Sequence, residues 1–115
     1  MESITRFVQG VQTFDGKGLL HPVSLGENFE YTVPSDRRSQ LIYLRVGNSC
    51  DAMVYLVLER ESKPMRYFPV GARGAIHVSL ALTEDIFPDT KLELKIAAPD
   101  GVTGVAVVDM GLIEI

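Results

Sequence analysis

The feature of this sequence that most limits its fold is an alternation of apolar and polar residues that recurs along nearly the whole chain. In one stretch, Leu92, Leu94 and Ile96 alternate with Glu93 and Lys95. Successive side chains of a β-strand point to opposite faces, so this pattern is typical of a strand with one buried and one wet face. Apolar residues at helical spacing are nearly absent. The pattern therefore predicts an all-β protein.

Short segments rich in Gly, Pro, Asp and Ser separate the alternating stretches, and such segments favour turns. A series of short strands without intervening helices is typical of two antiparallel sheets packed face to face. The length of 115 residues is that of one domain. The sequence therefore predicts a single antiparallel two-sheet β-sandwich over 1–115, jelly-roll or immunoglobulin-like, with a closed barrel as the alternative. Its eight or nine strands are expected at about 4–14, 18–25, 27–33, 40–46, 52–60, 65–70, 75–81, 91–97 and 104–115.

Three short connections indicate how the strands between 40 and 81 pair. If GNSCD (47–51), ESKP (61–64) and GARG (71–74) each close a hairpin, these four strands form a meander. The core face of the meander would carry Ile42, Leu44, Val54, Leu56, Leu58, Met65, Tyr67, Ile76, Val78 and Leu80. The outer face would carry Leu41, Tyr43, Arg45, Met53, Tyr55, Val57, Arg66, Phe68, His77 and Ser79.

Two strands are apolar on both faces, which is unusual in an antiparallel sheet. One contains the run Ala52–Leu58 and the other lies within residues 104–115. Such a strand needs a second cover, and an exposed apolar patch usually marks an interface. The cover is expected to come from the chain itself, through residues 4–14 or the loop 82–90, from a second copy, or from a ligand.

The candidate site is the outer face of the meander, where a row of aromatic rings and the His77 imidazole would cross the strands beside arginines. Protein interfaces are rich in Tyr, Phe, Met and Arg. Sugar-binding sandwiches stack rings on sugars and bond hydroxyls through polar side-chain tips. The first hypothesis is a non-catalytic structural or scaffolding module that acts by self-assembly or protein binding, and the alternative is a carbohydrate-binding module. The candidate site residues are Tyr43, Arg45, Met53, Tyr55, Arg66, Phe68 and His77.

Sequence motifs for catalysis and for metal or cofactor binding are absent. His21 and His77 are far apart, and the chain contains no CxxC, HxH, HExxH or GxSxG motif. We therefore expect no enzymatic activity, no cofactor and no metal. A small enzyme built around His77 and an unidentified carboxylate is a third hypothesis. Asp109 interrupts an apolar run, so its carboxylate should face solvent or pair with an arginine.

Net charge and the single cysteine limit the partners and the compartment. A net charge of −4 gives no positive field to attract nucleic acid. The longest apolar run, Ala52–Leu58, is far shorter than the roughly 20 residues that span a bilayer. Cys50 cannot form an internal disulfide, and the first ten residues do not resemble a secretory signal. We expect a cytoplasmic protein whose partners are copies of itself, a larger protein assembly or a sugar, and neither nucleic acid nor membrane.

Overall fold

The computed structural model describes residues 2–80 and 85–115 and contains nine β-strands in that part of the chain. A short 3-10 turn over Glu27–Phe29 lies between the second and third strands. The strands are β1 (Ile4–Asp15), β2 (Val23–Ser24), β3 (Glu30–Thr32), β4 (Ser39–Asn48), β5 (Val54–Arg60), β6 (Lys63–Val70), β7 (Ala75–Ser79), β8 (Lys91–Ala97) and β9 (Thr103–Glu114).

Two antiparallel sheets form the molecule, which confirms the predicted β-sandwich. Sheet A has the strand order β1-β9-β4-β7, and sheet B has the order β2-β8-β5-β6, with β3 pairing to β8 as well. Every named pairing in both sheets is antiparallel. The edges of sheet A are therefore β1 and β7.

The core lies between the two sheets and is built by the alternation seen in the sequence. On β8 the apolar residues Leu92, Leu94 and Ile96 are buried, while Glu93 and Lys95 point away from the core. Burying a Leu or Ile side chain contributes about 1.5–3 kcal/mol. On β8, the period-two pattern therefore marks the face that packs inward.

Two of the three predicted hairpins are wrong, because both connections cross from one sheet to the other. GNSCD leads from β4 in sheet A to β5 in sheet B, and GARG leads from β6 back to β7 in sheet A. As a result β4 pairs with β7 and β9, and β5 pairs with β6 and β8. The predicted four-strand meander, with one core face and one outer face, does not form.

Asn48, which is buried, supplies the physical reason for this crossing. Its side-chain amide donates hydrogen bonds to the carbonyl oxygens of Ala52, at 3.0 Å, and of Gly71, at 3.1 Å. Its side-chain oxygen accepts a hydrogen bond from the backbone N–H of Cys50. The same side chain thus holds both crossing loops. Removing it would break these three hydrogen bonds, each of which contributes about 0.5–1.5 kcal/mol.

The third predicted hairpin forms, but its register is shifted by one residue. Arg60 and Lys63 pair as predicted, around a turn in which Glu61 and Ser62 both adopt positive φ. A bulge then places Phe68, which the meander prediction put on the outer face, opposite the core residue Leu56. Since a shift of one residue exchanges the two faces of a strand, Phe68 enters the core at 5% exposure and Tyr67 faces outward.

The outer face of sheet B is covered in part by the chain's own residues. Val57 points away from the core cluster and is only 1% exposed. Its neighbour Tyr55 contacts the ring of Tyr67 edge to face at 5.6 Å, and the Tyr55 hydroxyl donates a hydrogen bond to the carbonyl oxygen of Leu19. The cover thus includes the loop that follows β1.

Neither residues 4–14 nor the described part of the loop, 85–90, is found covering the outer face of sheet B. Residues 4–14 belong to β1, an edge strand of sheet A. Of the loop 82–90, the residues up to 84 lie outside the described part of the chain. Ile86 in that loop is buried and forms a bridge with Ser39 at the start of β4. The second doubly apolar strand, β9, keeps Val107 exposed on the outer face of sheet A.

A buried carboxylate ties the two sheets together at one end of the sandwich. Glu114, at the end of β9, is 1% exposed. It accepts a hydrogen bond of 2.6 Å from the hydroxyl of Tyr31 on β3 and one of 3.2 Å from Arg6 on β1. Burial, the hydrogen bond to Glu114 and the charge of that carboxylate raise the pKa of Tyr31 to about 12, against the lowering effect of a hydrogen bond with Ser39.

The described residues include no helix with the length and apolar character needed to cross a bilayer.

Candidate functional site on the outer face of sheet A

The register of sheet A aligns a row of polar side chains across all four strands. Gln9 on β1 lies opposite Asp109 on β9, Asp109 lies opposite Arg45 on β4, and Arg45 lies opposite His77 on β7. All four residues occupy outward positions of their strands. Residues far apart in sequence are therefore brought together on one solvent-facing surface.

Tyr43 organises the centre of this surface by lying over a glycine. A Cβ atom at Gly111 would lie 2.2 Å from Cε2 of Tyr43, so only glycine leaves space for the ring. An aromatic ring over a glycine of the neighbouring strand is a recognised way to stabilise a sheet. The Tyr43 hydroxyl donates a hydrogen bond of 2.9 Å to Asp109 Oδ1. Burial, followed by this bond and the charge of Asp109, raises the pKa of Tyr43.

Arg45 and His77 both contact the ring of Tyr43. The guanidinium carbon of Arg45 lies 5.1 Å from the ring centroid, within the range of a cation–π interaction. The His77 ring meets the Tyr43 ring edge to face, with centroids 6.2 Å apart. Within the described ranges, no carboxylate forms an ion pair with Arg45. The guanidinium N–H groups of Arg45 are therefore free to bond a ligand.

An open groove of about 570 Å³ lies beside this cluster. Its apolar lining includes Gly47, Ala75 and Val107, and Arg45, His77 and Asp109 are its polar residues. Gly47 has no side chain to fill the groove. A Cβ atom added there would project into open space and would meet only Val107, at 3.8 Å. The groove thus combines an apolar surface with the donors of Arg45 and His77 and the carboxylate acceptor of Asp109. This combination suits a ligand rich in hydroxyl groups.

The seven residues predicted as one site fall into separate places, because their strands belong to two different sheets and because the β5–β6 register is shifted. Tyr43, Arg45 and His77 do come together, on sheet A. Phe68 is in the core rather than on an outer face. The other three belong to sheet B: Tyr55 lies on its outer face, Met53 is exposed just before β5, and Arg66 lies on the edge strand β6. A ligand-binding or interface role for these residues stays a prediction.

Asp109 is the site residue that the sequence prediction left out. The sequence drew attention to it, because a carboxylate interrupts the apolar run of β9. Its actual hydrogen-bond partner is Tyr43, and it lies opposite Arg45 across the strand pair. The pairing of β9 with β4 joins residues 58 or more positions apart, so local spacing could not reveal it.

No three His, Cys, Asp or Glu residues within the described ranges are grouped so that they could hold a metal ion. Glu84, in the loop 82–90 before β8, lies outside these ranges. Asp85 accepts hydrogen bonds from Arg38 and Gln40, and Asp89 accepts one from Ser35.

Comparisons with known proteins identify a fold relative but not a family. No protein-family model matches the sequence, and a search of curated proteins finds no match. Among solved structures, the chain is similar to the CBM36-1 domain of a multidomain xylanase from the hindgut metagenome of Trinervitermes trinervoides. The match has a TM-score of 0.53 and 15% sequence identity, and it covers 96% of each chain. This similarity concerns the β-sandwich fold of the whole chain.

Proposed function

We propose that this protein is a non-catalytic carbohydrate-binding module that binds a glycan in the groove on the outer face of sheet A. The observation that carries the proposal is the polar row of Asp109, Arg45 and His77, which crosses three adjacent strands beside an apolar groove. The fold similarity to a carbohydrate-binding module over nearly the whole chain supports it.

The chemistry of the groove fits a sugar because a pyranose ring has an apolar C–H face and a rim of hydroxyls. The C–H face would lie against Gly47, Ala75 and Val107, and the hydroxyls would bond Arg45, His77 and Asp109. Tyr43 acts as a positioning residue in this arrangement. Gly111 lies under its ring and Arg45 over it, so the ring orients Arg45 and Asp109 rather than stacking on the sugar.

Affinity electrophoresis through gels containing single soluble polysaccharides, both plant and microbial, tests the proposal. The wild-type protein should be retarded by at least one polysaccharide, and His77→Ala should weaken that retardation. A hydrogen bond is worth about 0.5–1.5 kcal/mol, so the expected loss is roughly 2- to 10-fold in affinity. His77 is exposed, so the variant should keep the thermal stability of the wild type.

Tyr67→Ala is the matched control, since it removes an exposed ring from the outer face of sheet B. It should leave the retardation unchanged. The proposal fails if no polysaccharide in the panel retards the wild type, or if Tyr67→Ala weakens binding as much as His77→Ala does.

Self-assembly is a second candidate function, and the exposed apolar side chains on β1 and β9 favour it. Val11 lies directly opposite Val107, and both are exposed on the outer face of sheet A together with Phe7. Clustered apolar side chains on a protein surface are typical of interfaces.

A further inference from the structure

The outer edge of β1 is an open strand edge. β1 runs from Ile4 to Asp15 and pairs with β9 along its whole length, and no other described strand pairs with it. Its second row of backbone N–H and C=O groups therefore has no partner strand among the described residues, although the turn Glu27–Phe29 packs close to β1. An edge of this kind is a ready template for pairing with another strand.

Two other edge strands of the sandwich, β6 and β7, have features that hinder such pairing. β6, the edge of sheet B, contains Pro64 and Pro69 together with the charged residues Lys63 and Arg66. Proline lacks a backbone donor, and charges on an edge discourage pairing. β7, the other edge of sheet A, has only five residues. In contrast, residues 7–14 of β1 contain neither a charge nor a proline.

The side chains of β1 are close to symmetric about Gln9. On the outer face, Phe7 and Val11 lie two residues to either side of Gln9, and Thr5 and Thr13 lie four residues to either side. All five are exposed, and Phe7 and Val11 are the large apolar residues among them, at 56% and 68% exposure. An antiparallel pair centred on Gln9 would therefore match apolar with apolar side chains and threonine with threonine.

We propose that β1 binds β1 of a second copy of this chain in antiparallel fashion, with the two-fold axis at Gln9. Phe7 of each copy then lies opposite Val11 of the other, and the two four-stranded sheets become one continuous eight-stranded sheet. A two-fold contact between identical surfaces is the commonest way in which oligomers close. The pairing occupies the β1 edge of both copies. Because neither copy then has a free β1 edge for a third copy, assembly stops at the dimer.

The dimer would place the two grooves on the same side of the joined sheet, a consequence that rests on the proposed function. The β4 strands of the two copies would be five strand spacings apart, which is about 24 Å at about 4.8 Å per spacing. A long glycan could then contact both grooves.

Sedimentation velocity over a concentration series into the high micromolar range tests the proposal. The wild type should sediment as a dimer, and Val11→Lys should shift it to a monomer, because the variant places two charges opposite the Phe7 side chains. Leu20→Lys is the matched control: it changes a side chain that is 88% exposed in the loop after β1, and it should leave the dimer intact. A wild-type monomer at every concentration, or a dimer that survives Val11→Lys, would overturn the proposal.

Cysteine cross-linking tests the register. In a pair centred on Gln9, only residue 9 lies opposite its own copy on the outer face, so Gln9→Cys should give a disulfide-linked dimer under mild oxidation. Val11→Cys should not, because its own copy is four residues away along the strand. Cys50 is buried and is present in both variants, so it cannot account for a difference between them. Cross-linking at 11 without cross-linking at 9 would refute the Gln9-centred pair.

The outcome for the dimer is separate from the outcome for glycan binding. If Val11→Lys is monomeric and is still retarded by the polysaccharide, the dimer proposal and the glycan proposal both stand. If the wild type is monomeric yet retarded, only the dimer proposal fails.

Discussion

The Tyr31→Phe substitution removes one hydroxyl from the buried link between the two sheets. In the structure that hydroxyl donates a hydrogen bond of 2.6 Å to Glu114, whose side chain is almost fully buried on sheet A. Without it, Arg6 is the remaining side chain that donates a hydrogen bond to this carboxylate, at 3.2 Å. We expect the variant to fold, because the ring of Tyr31 still packs against the core.

The size of the effect follows from two independent estimates. A hydrogen bond to a charged group contributes about 1.5–3 kcal/mol to stability. The rise in the pKa of Tyr31 from 10.0 to about 12 corresponds to at most about 2.7 kcal/mol, at 1.36 kcal/mol per pKa unit. Burial is the first cause of that rise, and the ring is only partly buried, so the share of the hydrogen bond is smaller. We therefore expect a loss of about 1.5 kcal/mol at neutral pH.

The pH dependence of the loss identifies its cause. Because the pKa of Tyr31 is higher in the folded than in the unfolded protein, its contribution is fully present below about pH 10 and is lost as the pH rises through about 12. The free-energy difference between wild type and Tyr31→Phe should therefore shrink across that interval. Urea unfolding followed by circular dichroism, at neutral pH and at several alkaline values, measures it.

Tyr67→Phe is the control, since Tyr67 is exposed on the outer face of sheet B. It should change the free energy of unfolding by less than about 0.5 kcal/mol at every pH. A Tyr31→Phe penalty that stays constant up to pH 12, or that is no larger than the penalty of Tyr67→Phe, would contradict the reasoning.

Two further predictions concern the crossing loops and the candidate site. Asn48→Ala should lower the free energy of unfolding by about 3 kcal/mol in urea titrations, because it removes three hydrogen bonds to the crossing loops at about 1 kcal/mol each; a loss under about 1 kcal/mol would contradict this. Gly111→Ala should displace the Tyr43 ring and weaken retardation by polysaccharide, whereas unchanged retardation would show that Tyr43 does not position the groove residues.

The strands and the sandwich could be predicted because alternation is a local property. Apolar residues at a period of two mark the buried face of most strands, whichever strand lies beside them. Tyr43 and His77 were therefore correctly expected to share an outward face, even though the strand pairing used to reach that conclusion was wrong. Their parity along β4 and β7 does not depend on the partner strand. The exception on β4 is a bulge between Leu41 and Tyr43, which buries Leu41 and exposes Ile42, the reverse of the predicted faces.

The strand partners could not be predicted because short connections are ambiguous. GNSCD is short enough to close a hairpin, yet Asn48 makes hydrogen bonds to both crossing loops and turns the chain toward the other sheet. In the same way, the bulge in the β5–β6 hairpin leaves no clear mark in the sequence, and it moves Phe68 from the expected outer face into the core. In both cases the contacts that decide the outcome are tertiary.

The question of what covers the doubly apolar strands has a different answer for each sheet, and the difference bears on both proposals. On sheet B, Val57 is covered by residues of the chain itself, so its burial requires no partner. On sheet A, Val107 and Val11 lie side by side and remain exposed, next to the polar row that borders the groove. Covering exposed apolar surface with another molecule is favourable, because it removes that surface from water. A glycan over β9 and β4 would cover one part of this surface and a second copy at β1 another, so the two proposals use neighbouring parts of sheet A and are compatible.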